Sequence, residues 1–265
     1  MSKQPATPVP AATLMLIRDS ADGLEVFMVE RHHQIDFATG ALVFPGGKID
    51  KADFDPGLRA RCENAAHYSE LELALRVGGI REAFEECGVL LAHDAGGSGL
   101  VNAGRLRDLE HYRKELVDCQ ITMLEFLTKE NLILLPQNLV PFAHWITPPM
   151  VPKRFDTHFF IIEAPMDHIA LHDGHESVDS VWIKPSKVIE EGDAGRRTVI
   201  FPTRMNVQKL GRCTTVAEAL ETARASKVVT VLPQMMQGDD GPYLKIPEEA
   251  GYDISIQPLA GMRGA

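Results

Sequence analysis

The stretch from Leu73 to Leu91 limits the folds open to this chain more than any other. Its apolar residues Val77, Ile80, Phe84, Cys87 and Leu91 recur at intervals of three and four, the period of an α-helix. On a helical wheel these five side chains fall within an arc of about 80°, and Glu82, Glu85 and Glu86 occupy about 100° on the opposite side. The pattern predicts a helix with one face in a core and another that gathers three carboxylates. Like charges at this spacing cost an isolated helix roughly 0.2–0.5 kcal/mol per pair, so something must compensate them. The plain alternative is a solvated acidic face screened by Arg81 and water. A Pro45-Gly46-Gly47 turn upstream, able to aim a backbone carbonyl at the same cation, and a terminating Gly88 favour a site for a hard metal ion. Gly78 and Gly79 are each ~1 kcal/mol worse than alanine in a helix, which places the expected helix start at about Gly79.

The segments upstream read as strands. Thr13 to Ile17 and Val26 to Glu30 are rich in β-formers and flank the turn residues Asp19 to Gly23, a hairpin signature. Leu42-Val43-Phe44 is a third strand, stopped by the Pro-Gly-Gly turn. Further strands are expected at Ala143 to Ile146, His158 to Glu163 and Asp179 to Ile183. Helical patterns occupy Leu106 to Val117, Met123 to Lys129, Val188 to Glu191 and Thr215 to Arg224, the last capped by Thr214 or Thr215. Gly96-Gly97-Ser98-Gly99 lacks the strand-to-helix setting of a dinucleotide loop and reads as a linker.

Composition removes several classes of function. With 37 acidic against 27 basic side chains, the net charge of −10 repels a bare phosphate backbone, so nucleic acid is not an expected partner. An anionic small molecule remains compatible if divalent cations reverse the local sign. The 4 cysteines form no C-x-x-C pair, which argues against a zinc knuckle or a disulfide framework and for a reducing compartment. No apolar run approaches the ~20 residues of a membrane span, and prolines near the N-terminus interrupt any signal-like stretch. These features predict a cytoplasmic protein, with residues 1–11 as a flexible arm and residues 240–265 as a tail of weak periodicity. Whether the chain pairs into a homodimer is left open.

Arg81-Glu82-Ala83-Phe84-Glu85-Glu86-Cys87-Gly88-Val89 resembles the second half of the Nudix hydrolase box, G-x5-E-x7-R-E-U-x-E-E-x-G-U with U aliphatic. Gly47 begins the first half, but 33 residues (48 to 80) stand where the pattern has 13, so about 20 are inserted, expected within residues 51–72. The box glutamate eight places before Arg81 is absent, since Leu73 stands there. Glu70, Glu72 or a residue of the insertion is expected to replace it. The split box resembles the coenzyme A diphosphatase branch related to the peroxisomal acyl-CoA enzymes. That likeness extends over Arg31, Gly40 to Gly47, Asp50, Trp145-Ile146-Thr147-Pro148 and Arg154-Phe155-Asp156-Thr157-His158-Phe159-Phe160.

The resemblance implies one Nudix domain over residues 1–265: an α/β/α sandwich with a mixed sheet, the box helix on one face, and extra helices from residues 51–72 and 104–130. It implies Mg²⁺ or Mn²⁺ as cofactor, with Glu85 and Glu86 as ligands, Glu82 as ligand or activator of water, Gly47 adding its carbonyl, and Arg81 orienting the cluster. Glu176 is a far-side candidate for general base, and Arg31 a candidate phosphate contact. His168, His172, Asp173 and His175 follow no zinc spacing and are read as surface or substrate-contacting groups. Arg154 and Asp156 are expected to pair and lock a strand end. The implied reaction is hydrolysis of a nucleoside diphosphate linked to another group, first coenzyme A or an acyl-CoA. ADP-ribose, NADH or a dinucleoside polyphosphate is the alternative substrate, and a nucleotide sensor without turnover the alternative function.

Overall fold

The computed structural model describes residues 5–30, 41–165, 168 and 179–259. Along the chain, β1 (Val9–Ser20) and β2 (Gly23–Glu30) form the hairpin, and β3 (Leu42–Val43) and β4 (Gly46–Lys48) flank the Pro-Gly-Gly turn. Helix α1 (Glu70–Cys87) leads to β5 (Ala92–Asp94), then to α2 (Ala103–Leu109), α3 (His111–Val117) and α4 (Met123–Lys129). Next come β6 (Leu132–Leu134), β7 (Val140–Ile146), β8 (Phe155–Glu163) and β9 (Asp179–Ile183). Helices α5 (Pro185–Asp193), α6 (Phe201–Leu210) and α7 (Val216–Ala225) precede β10 (Thr230–Val231). The chain closes with β11 (Gln234–Gly238), β12 (Gly241–Lys245) and β13 (Ile256–Pro258).

Eight strands form one mixed sheet in the order β10-β7-β8-β1-β2-β3, with β4 added to β1 and β9 to β2. β1 runs parallel to β8 and antiparallel to β2 and β4. Alternation along β1 divides its side chains between two cores. Ala12, Leu14 and Leu16 pack with α1, α3 and α4 on one face, whereas Met15 and Ile17 pack with α5, α6 and α7 on the other. The result is the expected α/β/α layering. Among the described residues no helix is long and apolar enough to cross a membrane.

Helix α1 starts nine residues before the expected Gly79 (79 − 70 = 9). Ser69 caps it through the Glu72 amide, and the Glu72 carboxylate returns to the Ser69 amide at 2.8 Å, a reciprocal capping box. The glycine pair does not interrupt the helix because both glycines are packing sites. A Cβ on Gly79 would lie 2.6 Å from Leu14 Cδ1, and one on Gly78 would lie 2.6 Å from Ile49 Cδ1 and 2.9 Å from Asp53 Oδ2. The propensity cost is offset by close approach to the sheet and to the insertion. Gly88 ends the helix at φ 69°, its amide bonded to the Ala83 and Phe84 carbonyls.

Other expectations shift. β1 begins at Val9, so the end of the supposed arm is a strand, with Val9 paired to Phe155. The insertion holds three short 3-10 helices, Lys51–Phe54, Pro56–Arg61 and Ala65–His67. The Leu106 to Val117 pattern splits into α2 and α3. The weakly periodic tail contributes β12 and β13 to a separate three-stranded sheet with β11. The helix α6 was not anticipated; its apolar residues Met205, Val207 and Leu210 keep no clean helical period.

Candidate active site

β4 and α1 bring the two halves of the split motif together. Ala11, Ala12 and Thr13 pair with Lys48, Gly47 and Gly46, which fixes the glycine turn against the edge of β1. The Gly46 amide donates to Glu86 Oε2 at 2.9 Å. A Cβ on Gly47 would lie 2.6 Å from the carboxylate carbon and both oxygens of Glu82, so a residue with any side chain would displace that acid.

Arg81 is the hub of the cluster and is itself buried. Its Nε donates to Asp53 Oδ1 at 3.1 Å, and its Nη2 to Asp53 Oδ2 and to the Lys48 carbonyl, each at 3.0 Å. Its Nη1 lies 2.9 Å from Glu82 Oε1 and 3.2 Å from Glu85 Oε2. Asp50 Oδ2 stands 3.7 Å from Nη2. One guanidinium therefore serves Asp50, Asp53, Glu82 and Glu85, and the centre carries a large negative excess. Burial pushes the Glu85 carboxyl up to about 7 against the pull of Arg81, with the Glu82 charge adding to the rise. Burial raises Glu82 and Asp53 as well.

The carboxylate face is solvated only in part: Glu86 is exposed, whereas Glu82 is half-buried and Glu85 buried. Glu85 is only 8% exposed. From α3, Arg113 donates through Nε and Nη2 to the Glu85 carbonyl at 3.2 and 3.0 Å, supplying a cation to the last turn of a helix that has no basic residue there.

Glu82 and Glu85 converge on the same nitrogen of Arg81, whereas Glu86 turns to the Gly46 amide. Among the described residues, Glu82, Glu85 and Glu86 do not form a trio with all donor atoms within 4.8 Å of one another. Their chemistry, oxygen donors on one helix with uncompensated negative charge, fits a hard divalent cation such as Mg²⁺ or Mn²⁺. Arg31, Glu176, His172, Asp173 and His175 lie outside the described residues. His168 is not a surface group: it is 1% exposed, with Nε2 2.7 Å from the Val101 carbonyl. Arg154 and Asp156 do not pair. Arg154 donates to the Thr147 and Ala6 carbonyls, both at 2.8 Å, and Asp156 faces His144 and His158.

Asp53 is the residue that sequence reasoning did not single out. Neither Glu70, at the helix start, nor Glu72, which caps it, contacts Arg81; the buried Asp53 of the insertion does. The signal available was the Asp50-x-x-Asp53 spacing. Asp53 accepts the Asp50 amide at 2.9 Å as in a capping box, and this turns its carboxylate inward.

Comparison with known proteins identifies the family, over a stretch that includes α1. The family model described as the NUDT19 Nudix domain matches residues 56–209. The Caenorhabditis elegans protein with nudix hydrolase 7 in its name is 25% identical over 187 residues, covering 71% of this chain and 56% of that protein. The acyl-coenzyme A diphosphatase NUDT19 of Xenopus laevis is 24% identical over 213 residues, covering 66% of this chain and 56% of that one. The chain thus spans about half the length of the curated relatives it matches. A crystal structure of a Nudix hydrolase from Alicyclobacillus acidocaldarius superposes with a TM-score of 0.66 at 25% identity, over 82% of this chain and 96% of that one.

Proposed function

This chain belongs to the family of the NUDT19 Nudix domain, and from that premise we propose that it hydrolyses the pyrophosphate bond of coenzyme A or an acyl-CoA to 3',5'-ADP and phosphopantetheine or its acyl form. It is a Nudix hydrolase, and the family acts on small nucleotide derivatives. The observation that carries the proposal is the gathering of Asp50, Asp53, Glu82 and Glu85 around the single charge of Arg81, with Glu86 on the adjacent glycine turn.

In the reaction, a water oxygen forms a bond to one phosphorus, the bridging P–O bond breaks, and its electron pair leaves with the other phosphate. Nudix hydrolases generally use divalent metal ions. Mg²⁺ or Mn²⁺, when bound, offsets the charge that grows on oxygens already anionic. Glu85 and Glu86 are the proposed ligands, with Glu82 as a third ligand or as acceptor of the water proton, and the Gly47 carbonyl as an added donor. Glu176 is the other proposed acceptor. Arg81, held by Asp53 and the Lys48 carbonyl, sets the direction of Glu82 and Glu85. Arg31 is proposed to contact the substrate phosphates.

The test is a side-by-side assay of coenzyme A, acyl-CoAs, ADP-ribose and NADH with Mg²⁺ and with Mn²⁺, products resolved by mass. The proposal expects 3',5'-ADP from coenzyme A or an acyl-CoA as the fastest product. Faster turnover of ADP-ribose or NADH would transfer the substrate assignment to them, and binding without turnover of any diphosphate would make the chain a sensor.

A further inference from the structure

A second group of donor atoms lies on the α1 face of the sheet, two and three strands from the glycine turn. His144 on β7 and His158 on β8 are directly opposed in the antiparallel ladder, and the same register row continues through Ala12 to Gly47. Asp156 precedes His158 by two residues and so projects from the same face. The two imidazoles stack with centroids 4.0 Å apart and planes at 21°. Both Nε2 atoms address Asp156 Oδ1, in direct contact for His144 and at 3.8 Å for His158. His144 Nδ1 lies 2.8 Å from the Thr230 hydroxyl oxygen, and Thr230 is its register partner on β10. That outer contact fixes which nitrogen of His144 faces the cluster, the arrangement by which ligating histidines are held.

The three donor atoms lie within 4.8 Å of one another, and among the described residues no other trio of His, Cys, Asp or Glu does so. The side chains of His144, His158 and Asp156 remain 17%, 30% and 34% exposed, so an ion can enter.

We propose that His144, Asp156 and His158 form a second cation site, separate from the glutamate cluster and selective for a borderline transition metal ion of the Zn²⁺ type. Two imidazole nitrogens and one carboxylate oxygen are a donor set that favours such an ion over Mg²⁺, which prefers oxygen alone. With bonds of about 2.0–2.1 Å and tetrahedral angles, neighbouring donors stand about 3.3 Å apart. The wider pairs therefore need to close by roughly 1.5 Å at most and the direct His144–Asp156 contact to open, both within reach of rotation about the side-chain torsions. Three protein ligands leave a fourth position open toward solvent. A bound ion joins β7 to β8, and Thr230 extends the tie to β10.

The test uses the full chain, freed of metal by chelation and titrated with Zn²⁺ in excess Mg²⁺ by calorimetry. The proposal expects one Zn²⁺ per chain, lost in His144→Gln and in His158→Gln, retained in Glu85→Gln, and weakened about tenfold or more in Thr230→Val. Metal-free melting curves identify variants that fold. Co²⁺ in place of Zn²⁺ gives an independent reading, the intense visible absorption of a tetrahedral nitrogen-ligated ion, present in the unmodified chain and absent in His158→Gln. Zn²⁺ stoichiometry unchanged in both histidine variants would overturn the proposal, as would Zn²⁺ binding abolished by Glu85→Gln.

Discussion

Asp53 holds Arg81 in a two-point contact, Oδ1 on Nε at 3.1 Å and Oδ2 on Nη2 at 3.0 Å, across 28 residues of sequence. The pair is buried on both sides, so the geometry of Glu82 and Glu85 is set from inside the protein. An acid carried by the insertion thus anchors Arg81, and we propose that it takes the place of the box glutamate missing at Leu73.

Truncating Asp53 removes one partner of a buried pair, which typically costs about 3–5 kcal/mol. We expect Asp53→Ala to lower the unfolding free energy by about 3 kcal/mol, since Glu82 and Glu85 still partly compensate Arg81. Asp53→Asn keeps an acceptor for the Asp50 amide and is expected to fall between the two. Urea unfolding measures both, and equal stability of all three proteins would contradict the anchor.

Gly47→Ala and Gly79→Ala separate site geometry from packing. The first places a methyl against the Glu82 carboxylate, so turnover is expected to fall while the melting temperature changes little. The second drives a methyl into Leu14 and is expected to cost about 1–3 kcal/mol, although alanine is the better helix former by ~1 kcal/mol. Thermal melts beside a hydrolysis assay should show the two effects in different proteins.

The cysteines give a pH-dependent test. Burial pushes the Cys62 thiol up to about 12 from its ordinary 9.0, and Cys87 is raised by burial as well. Above pH 9 the unfolded chain ionises these thiols while the folded chain keeps them protonated. The unfolded state then binds fewer protons, and this contribution to stability falls as pH rises from 9 toward 12. In native protein, iodoacetamide should modify exposed Cys119 readily and leave Cys62 and Cys87 unmodified until denaturant is added. Peptide mass mapping reads the result, and rapid native labelling of Cys62 would contradict its burial.

Local signals carried through where they coincided with packing. The run Asp179 to Ile183 is the strand β9, and Met123 to Lys129 is the helix α4, begun by the Thr122 capping box. α1 starts before Gly79 because the propensity cost of Gly78 and Gly79 is outweighed by the close neighbours that make glycine necessary there. The enclosure of Glu85 is invisible for a similar reason: helical periodicity separates apolar from acidic residues but does not show that Glu85 is buried beside Arg113 while Glu86 stays exposed. Asp53 lay in a segment with no periodic pattern, and its inward turn depends on a backbone contact with Asp50. The His144, Asp156 and His158 cluster needs the β7 to β8 register, which no local pattern supplies.

The central functional claim is that the α1 carboxylates carry out hydrolysis with a divalent cation. The direct measurement is the Mg²⁺-dependent release of 3',5'-ADP from coenzyme A by Glu85→Gln and Glu86→Gln proteins whose melting temperatures match the unmodified chain. The account predicts loss of turnover by about a hundredfold or more in each. Turnover equal to that of the unmodified chain in either folded variant would contradict it.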